Sequence, residues 1–148
     1  MNKVRLILTI IVIFVLANFT GFFIHAIWLK QDYLLVAPHY RPEGEQKMVF
    51  IVLAYISFAV GSVLIFARGV EDKPLLGQGV RFGLLMFLVL TVPSFFIAYA
   101  VQLVPAVLMS KQVLAELVDK VLLGIVTAFL YGKGRRTSAA VVENAETT

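Results

Sequence analysis

Four long apolar runs alternate with short polar segments along the chain, at Val4–Leu29, Met48–Ala67, Phe82–Leu103 and Val113–Tyr131. A bilayer's hydrocarbon core is about 30 Å thick, and a helix needs about 20 apolar residues to cross it. The pattern therefore predicts an all-α fold, an integral membrane four-helix bundle over residues 1–131, with both termini on the same side. Little chain is left for a soluble domain. Polar residues 132–148 read as a disordered cytoplasmic tail.

Composition agrees. Hydrophobic residues make up 60% of 148, and mean hydropathy is +0.91. Cysteine is absent, which excludes disulfides, thiolate metal sites, cysteine nucleophiles and a lipoprotein anchor. The net charge of +4 comes from basic residues beside the spans, so it marks topology and not a nucleic-acid surface. The start also has the layout of a signal peptide: basic Met1–Arg5, apolar Leu6–Leu16, and a Val15-Leu16-Ala17 tripeptide. The apolar run continues to Leu29, however, which suits a retained span.

Four spans put the N-terminus, the middle loop and the C-terminus on one side. Lys3, Arg5, Arg68, Lys73, Arg81, Lys133, Arg135 and Arg136 lie there, eight of the 13 basic residues. The other five, Lys30, Arg41, Lys47, Lys111 and Lys120, lie opposite. The bias predicts cytoplasmic termini.

The first outer link, QDYLLVAPHYRPEGEQK, is the longest, and Pro42-Glu43-Gly44-Glu45 within it could open the second helix. The inner stretch GVEDKPLLGQG reads as a compact turn. Pro93 interrupts the third span and should kink it, with Thr91 and Ser94 close enough to satisfy the freed carbonyls. The runs GFFIHAIWLKQDY, YRPEGEQ and RGVEDKPLLGQGVRFG resemble a group of small bacterial four-span inner-membrane proteins of unknown function. The resemblance covers Thr20–Tyr131 and implies the same topology and a bacterial inner-membrane location; it lends no residue a role.

Two constellations carry candidate chemistry. The first is Glu116, Asp119 and Lys120, where Glu116 and Lys120 stand at the favoured i,i+4 spacing for a helix ion pair. They form either a wet interfacial helix end or a pair facing a cavity, able to bind a polar ligand or relay protons. The second is the outer group of His25, Asp32, His39, Tyr40, Arg41, Glu43 and Glu45. His25 lies inside an apolar run, at interface depth beside Trp28. No metal-binding spacing is present, and no nucleophile elbow, phosphate loop or zinc motif, so no catalytic residue, metal or cofactor is expected.

The expected function is a non-enzymatic membrane protein that binds a lipid, a small ligand or a membrane-protein partner, a second copy of the chain included. The alternative is a small oligomeric transporter with a polar outer vestibule near Glu116 and Lys120. The charge bias makes the topology testable: reporter fusions after Lys73 and after Thr148 should read cytoplasmic, and one after Glu45 external. An external signal at Lys73 would overturn the orientation.

Overall fold

The computed structural model describes residues 2–34, 36–39, 41–42 and 44–132, and among these it contains helices and no strand. Helix α1, Lys3–Phe22, starts where the Asn2 side chain accepts the Arg5 N–H at 3.1 Å. A π-helical segment, Phe23–Trp28, continues it. A short helix α2, Lys30–Leu34, and a 3₁₀ turn, Ala37–His39, follow. Helix α3 spans Met48–Gly69. Helix α4, Leu75–Met86, runs through a π-helical segment, Phe87–Thr91, into α5, Val92–Val101. Helix α6, Ala106–Thr127, ends in a third π-helical segment, Ala128–Gly132.

Among the described residues, three helical stretches are long and apolar enough to cross a membrane: Lys3–Trp28, Met48–Gly69 and Leu75–Val101. The fourth apolar run belongs to α6, a helix of 22 residues that carries Lys111, Glu116, Asp119 and Lys120. The tail beyond Gly132, expected to be disordered, lies outside the described residues, as do Tyr40 and Glu43.

Helices α4 and α6 open seven residues ahead of their apolar runs, at Leu75 and Ala106 (82 − 75 and 113 − 106), and the turn expected to open α3 does not do so. Helix α3 opens at Met48 and not at Pro42; Glu45 N–H instead donates to the Pro42 carbonyl at 3.1 Å in a turn through Gly44, whose φ of 94° suits only glycine. Helix α4 opens at Leu75, so GVEDKPLLGQG is only partly turn. Glycine and glutamine lowered its hydropathy, but Gly79 and Gly83 face another helix and Gln78 is buried. A Cβ on Gly79 would lie 2.6 Å from the Ile125 Cα, one on Gly83 2.6 Å from the Val121 Cα, and one on Gly124 2.7 Å from the Gly83 nitrogen. Gly79 and Gly83 form a G-x-x-x-G pair that lets the two backbones touch, as close-packed membrane helices do. This α4–α6 contact is the most extensive in the fold. Gln78, beside it, is buried and closes the turn: its amide nitrogen donates to the Glu71 and Lys73 carbonyls at 2.8 and 2.7 Å, and its oxygen accepts Glu71 N–H at 2.9 Å. The exposed Glu71 carboxylate accepts from Lys73 at 2.5 Å, which holds its pKa below the usual range. What that pair contributes is present above the ordinary carboxylate pKa and lost as pH falls through the lowered one.

Among the described residues the core forms three layers. Ile24, Leu29, Val36, Leu108 and Ala115 pack at the end nearest α2, Ile13, Ala17, Ala59, Val63 and Leu123 in the middle, and Phe66, Ala67, Val70, Ala128 and Tyr131 at the end nearest the α3–α4 turn. Val36 is buried, so the apolar part of the first link folds back on the bundle. Around Pro93 the helix does not break. The proline cannot donate to the Val89 carbonyl, and the irregularity falls in the π-helical turn just before it, with Val92 N–H donating to the Phe87 carbonyl. Ser94 Oγ donates at 2.7 Å to the Leu90 carbonyl and not to the Val89 carbonyl that Pro93 leaves without its usual donor.

The glycine contact yields a stability prediction. Gly83→Val would push a branched side chain into the α6 backbone and should destabilise the purified protein by about 3 kcal/mol or more. Gly77→Ala, where nothing lies within 4 Å, should instead be neutral or stabilising by about 0.5–1 kcal/mol. Thermal unfolding in detergent compares the two, and equal effects would refute close packing at Gly83.

Candidate functional site

Helix α6 is inverted relative to a soluble amphipathic helix. Its buried stripe is Leu108, Gln112, Ala115, Asp119, Leu123 and Thr127, spaced at three and four residues. Between Lys111 and Leu130, every exposed residue is apolar: Leu114, Val118, Leu122, Phe129 and Leu130. The charged residues therefore point into the bundle. Asp119 lies 13 residues from Ala106 and 13 from Gly132 (119 − 106 and 132 − 119), about 20 Å from either end of the helical stretch.

There the three charges meet. The Lys120 ammonium donates to Glu116 Oε2 at 2.5 Å and to Asp119 Oδ2 at 2.9 Å, and sits 5.3 Å from the centre of the Phe58 ring. The side chains of Lys120, Glu116 and Asp119 are 13%, 17% and 7% exposed. Asp119 Oδ1 is buried and accepts no hydrogen bond. A buried ion loses several kcal/mol of hydration, so such a cluster holds together only because each charge has a partner.

The cluster is linked outward. His25 Nε2 lies 3.3 Å from Glu116 Oε1, and His25 Nδ1 lies 2.7 Å from the Tyr33 hydroxyl. That hydroxyl also accepts from Gln112 at 2.7 Å. One turn closer to the helix start, Lys111 donates to Asp32 at 2.7 Å. A continuous polar chain thus runs from α2 through the π-helical turn of α1 to the middle of α6. The π-helical turn places His25 here: an extra residue per turn shifts the side chain relative to an α-helix.

Beside the chain lies a cavity of about 390 Å³ between α1, α3, α5 and α6. Its charged lining is Glu116, Asp119 and Lys120, with His25; Tyr55, Phe58 and Phe95 give it aromatic walls, and Thr91 and Ser94 hydroxyls. The Tyr55 hydroxyl rests on Gly21, where any Cβ would displace it. Helices α3 and α5 both line the cavity yet make at most marginal contact with each other. Ala54 and Ser94, at their facing edges, are exposed, so the opening lies in this seam.

Of the expected site residues, Glu116, Asp119, Lys120 and His25 come together, and Asp32 joins them through the neighbouring Lys111 pair. Arg41 is exposed on the loop and does not line the cavity. His39 ends the 3₁₀ turn. Among the described residues no group of three His, Cys, Asp or Glu side chains could hold a metal ion. The charges do not form the wet helix end that was one of two expectations, because α6 begins at Ala106, ten residues before Glu116 (116 − 106). Sequence reasoning missed Tyr33, Gln112 and Phe58. Gln112 had a usable signal, standing one helical turn before Glu116 on the same face.

No family model matches this chain, and no curated protein or solved structure matches it either.

The geometry predicts strong coupling within the cluster. Lys120→Met leaves two buried carboxylates facing one another and should cost about 3–5 kcal/mol, and Glu116→Gln less. The double substitution should cost less than the sum by at least about 1 kcal/mol. Thermal unfolding of the four proteins in one detergent closes the cycle. Additive, negligible effects would mean that water reaches and screens the cluster.

Proposed function

We propose that this is a four-span membrane protein, with α6 as the fourth span and both termini cytoplasmic, that binds a small ligand in the cavity beside Glu116, Asp119 and Lys120 and performs no chemistry on it. The apolar outward face of α6 supports the fourth span: lipid suits that face, and water does not. The charge bias strengthens too. Lys111 and Lys120 lie within α6 and Arg81 within α4, each more than a turn from the helix start, so seven basic residues (8 − 1) on the inner side face three (5 − 2) on the outer. The resemblance to small bacterial four-span proteins points to a bacterial inner membrane, and the bilayer is the first partner.

One observation supports the binding function: largely buried ionisable groups stand at the middle of α6 and line a cavity. Such groups are costly there and mark ligand or ion sites. The alternative, an oligomeric transporter working through this cavity, draws on the same mid-helix carboxylates.

Native mass spectrometry of gently extracted protein tests binding. Wild type should retain a small molecule beyond its annular lipid, and Ala54→Trp, which fills the exposed mouth, should lose it. The same spectra give the number of chains per particle. No retained molecule in the wild type, or one that Ala54→Trp holds equally well, would sink the cavity as a binding site.

A further inference from the structure

Resting on that binding site, we propose that its ligand is a cationic amphiphile, a protonated amine on an apolar tail, which enters through the seam between α3 and α5. Charge gives the sign. Glu116 and Asp119 contribute two negative charges and Lys120 one positive, so with His25 neutral the cluster carries −1 (−2 + 1). The remaining lining residues, from α1, α3 and α5, are uncharged. At low dielectric, an uncompensated charge of this kind favours a counter-charge far more than it would in water.

The hydrogen-bond inventory gives the same answer independently. Four carboxylate oxygens are present. Lys120 serves Glu116 Oε2 and Asp119 Oδ2, and His25 lies within reach of Glu116 Oε1. Asp119 Oδ1 has no partner, and Asp119 is more than nine-tenths buried and lines the cavity. What is missing is a donor. An anionic ligand would bring only acceptors to a site already short of donors. Oδ1 is covered in this conformation, and since a half-turn only exchanges two equivalent oxygens, a ligand reaches it through a partial turn about the soft terminal torsion of aspartate that swings the carboxylate toward the cavity. An incoming ammonium then takes over one oxygen of Asp119 while Lys120 keeps Glu116.

The walls select an organic cation over a metal ion. Phe58 already carries the Lys120 ammonium on its face, and Tyr55 and Phe95 offer further rings. About 390 Å³ suits an amine head with the first part of a chain. The rest of the tail fits the seam, where Ala54, Leu90 and Phe95 line an apolar mouth. That mouth lies along the stretches of α3 and α5 apolar enough to cross the membrane, so it meets lipid and not water.

The test is equilibrium dialysis of radiolabelled decylammonium against nanodiscs carrying the full-length protein, with empty nanodiscs subtracting lipid partition. Decanol and decanoate serve as neutral and anionic counterparts. Decylammonium should saturate at one per chain, and decanoate should not saturate. Asp119→Asn should weaken decylammonium binding on the order of tenfold or more. Ala54→Trp should abolish it. Saturable binding of decanol or decanoate that Ala54→Trp removes, without saturable decylammonium, would leave the cavity a ligand site and overturn the cation. Unchanged decylammonium binding in Asp119→Asn would overturn the assignment to this cluster. Saturation by none of the three would overturn the cavity site as well. Should Asp119→Asn not fold, Ala54→Trp and the three wild-type isotherms decide the outcome, because residue 54 is exposed and bears on no core layer.

Discussion

Three charges at the midpoint of α6 constrain everything around them. Each would lose several kcal/mol of hydration if buried alone, and together they survive because Lys120 bridges Glu116 and Asp119. The bridge faces protein: α6 turns its polar stripe inward and its leucines, valines and phenylalanine outward. His25 and Tyr33 follow from the same need: they continue the polar contacts from Glu116 toward α2, and a π-helical turn in α1 brings the histidine into range.

A helix that buries polar groups on one face needs tight apolar contact elsewhere to hold its position. Gly79, Gly83 and Gly124 supply it, because without side chains the α4 and α6 backbones approach to contact distance. Dispersion over so many close atoms fixes α4 along α6. The π-helical turn and Pro93 then separate α4 from α5, and no residue of α5 is buried. The cavity lies on this divergence: α4 is held against α6, α5 is not, and the seam between α3 and α5 stays unfilled.

Much of this was legible in the residues. Three apolar runs became helices fit to cross a membrane, and Glu116, Asp119, Lys120 and His25 stood out because ionisable groups within apolar runs are costly. Hydropathy misplaced α4, since it scores glycine and glutamine as weakly polar whether they face solvent or another backbone. It also shortened α6 at its start, where Ala106–Gln112 mixes polar and apolar residues, and that made a mid-helix cluster look like a helix end. The partners of the cluster were beyond one-dimensional reasoning. Tyr33 meets Gln112 across 79 positions of chain and His25 meets Glu116 across 91, and only the packing of α1 on α6 brings them together.

The polar chain has a direction, and that direction favours binding over passage. From Tyr33 to Asp119 each group lies within hydrogen-bonding range of the next. Beyond Asp119 the middle core layer begins, with Ile13, Ala59 and Val63 fully covered and Ala17 and Leu123 nearly so. The polar groups past that layer are spoken for: Thr9 and Thr127 return their hydroxyls to carbonyls of their own helices, at 2.8 and 2.7 Å. A cation or proton that reached Asp119 would find no onward partner without separating α1, α3 and α6. Those helices form the middle of the core, whereas Ala54 and Ser94 at the seam between α3 and α5 belong to no core layer. Entry and release through that seam leave the middle layer intact, which is what the binding function proposed above requires. Transport would need the middle layer to come apart.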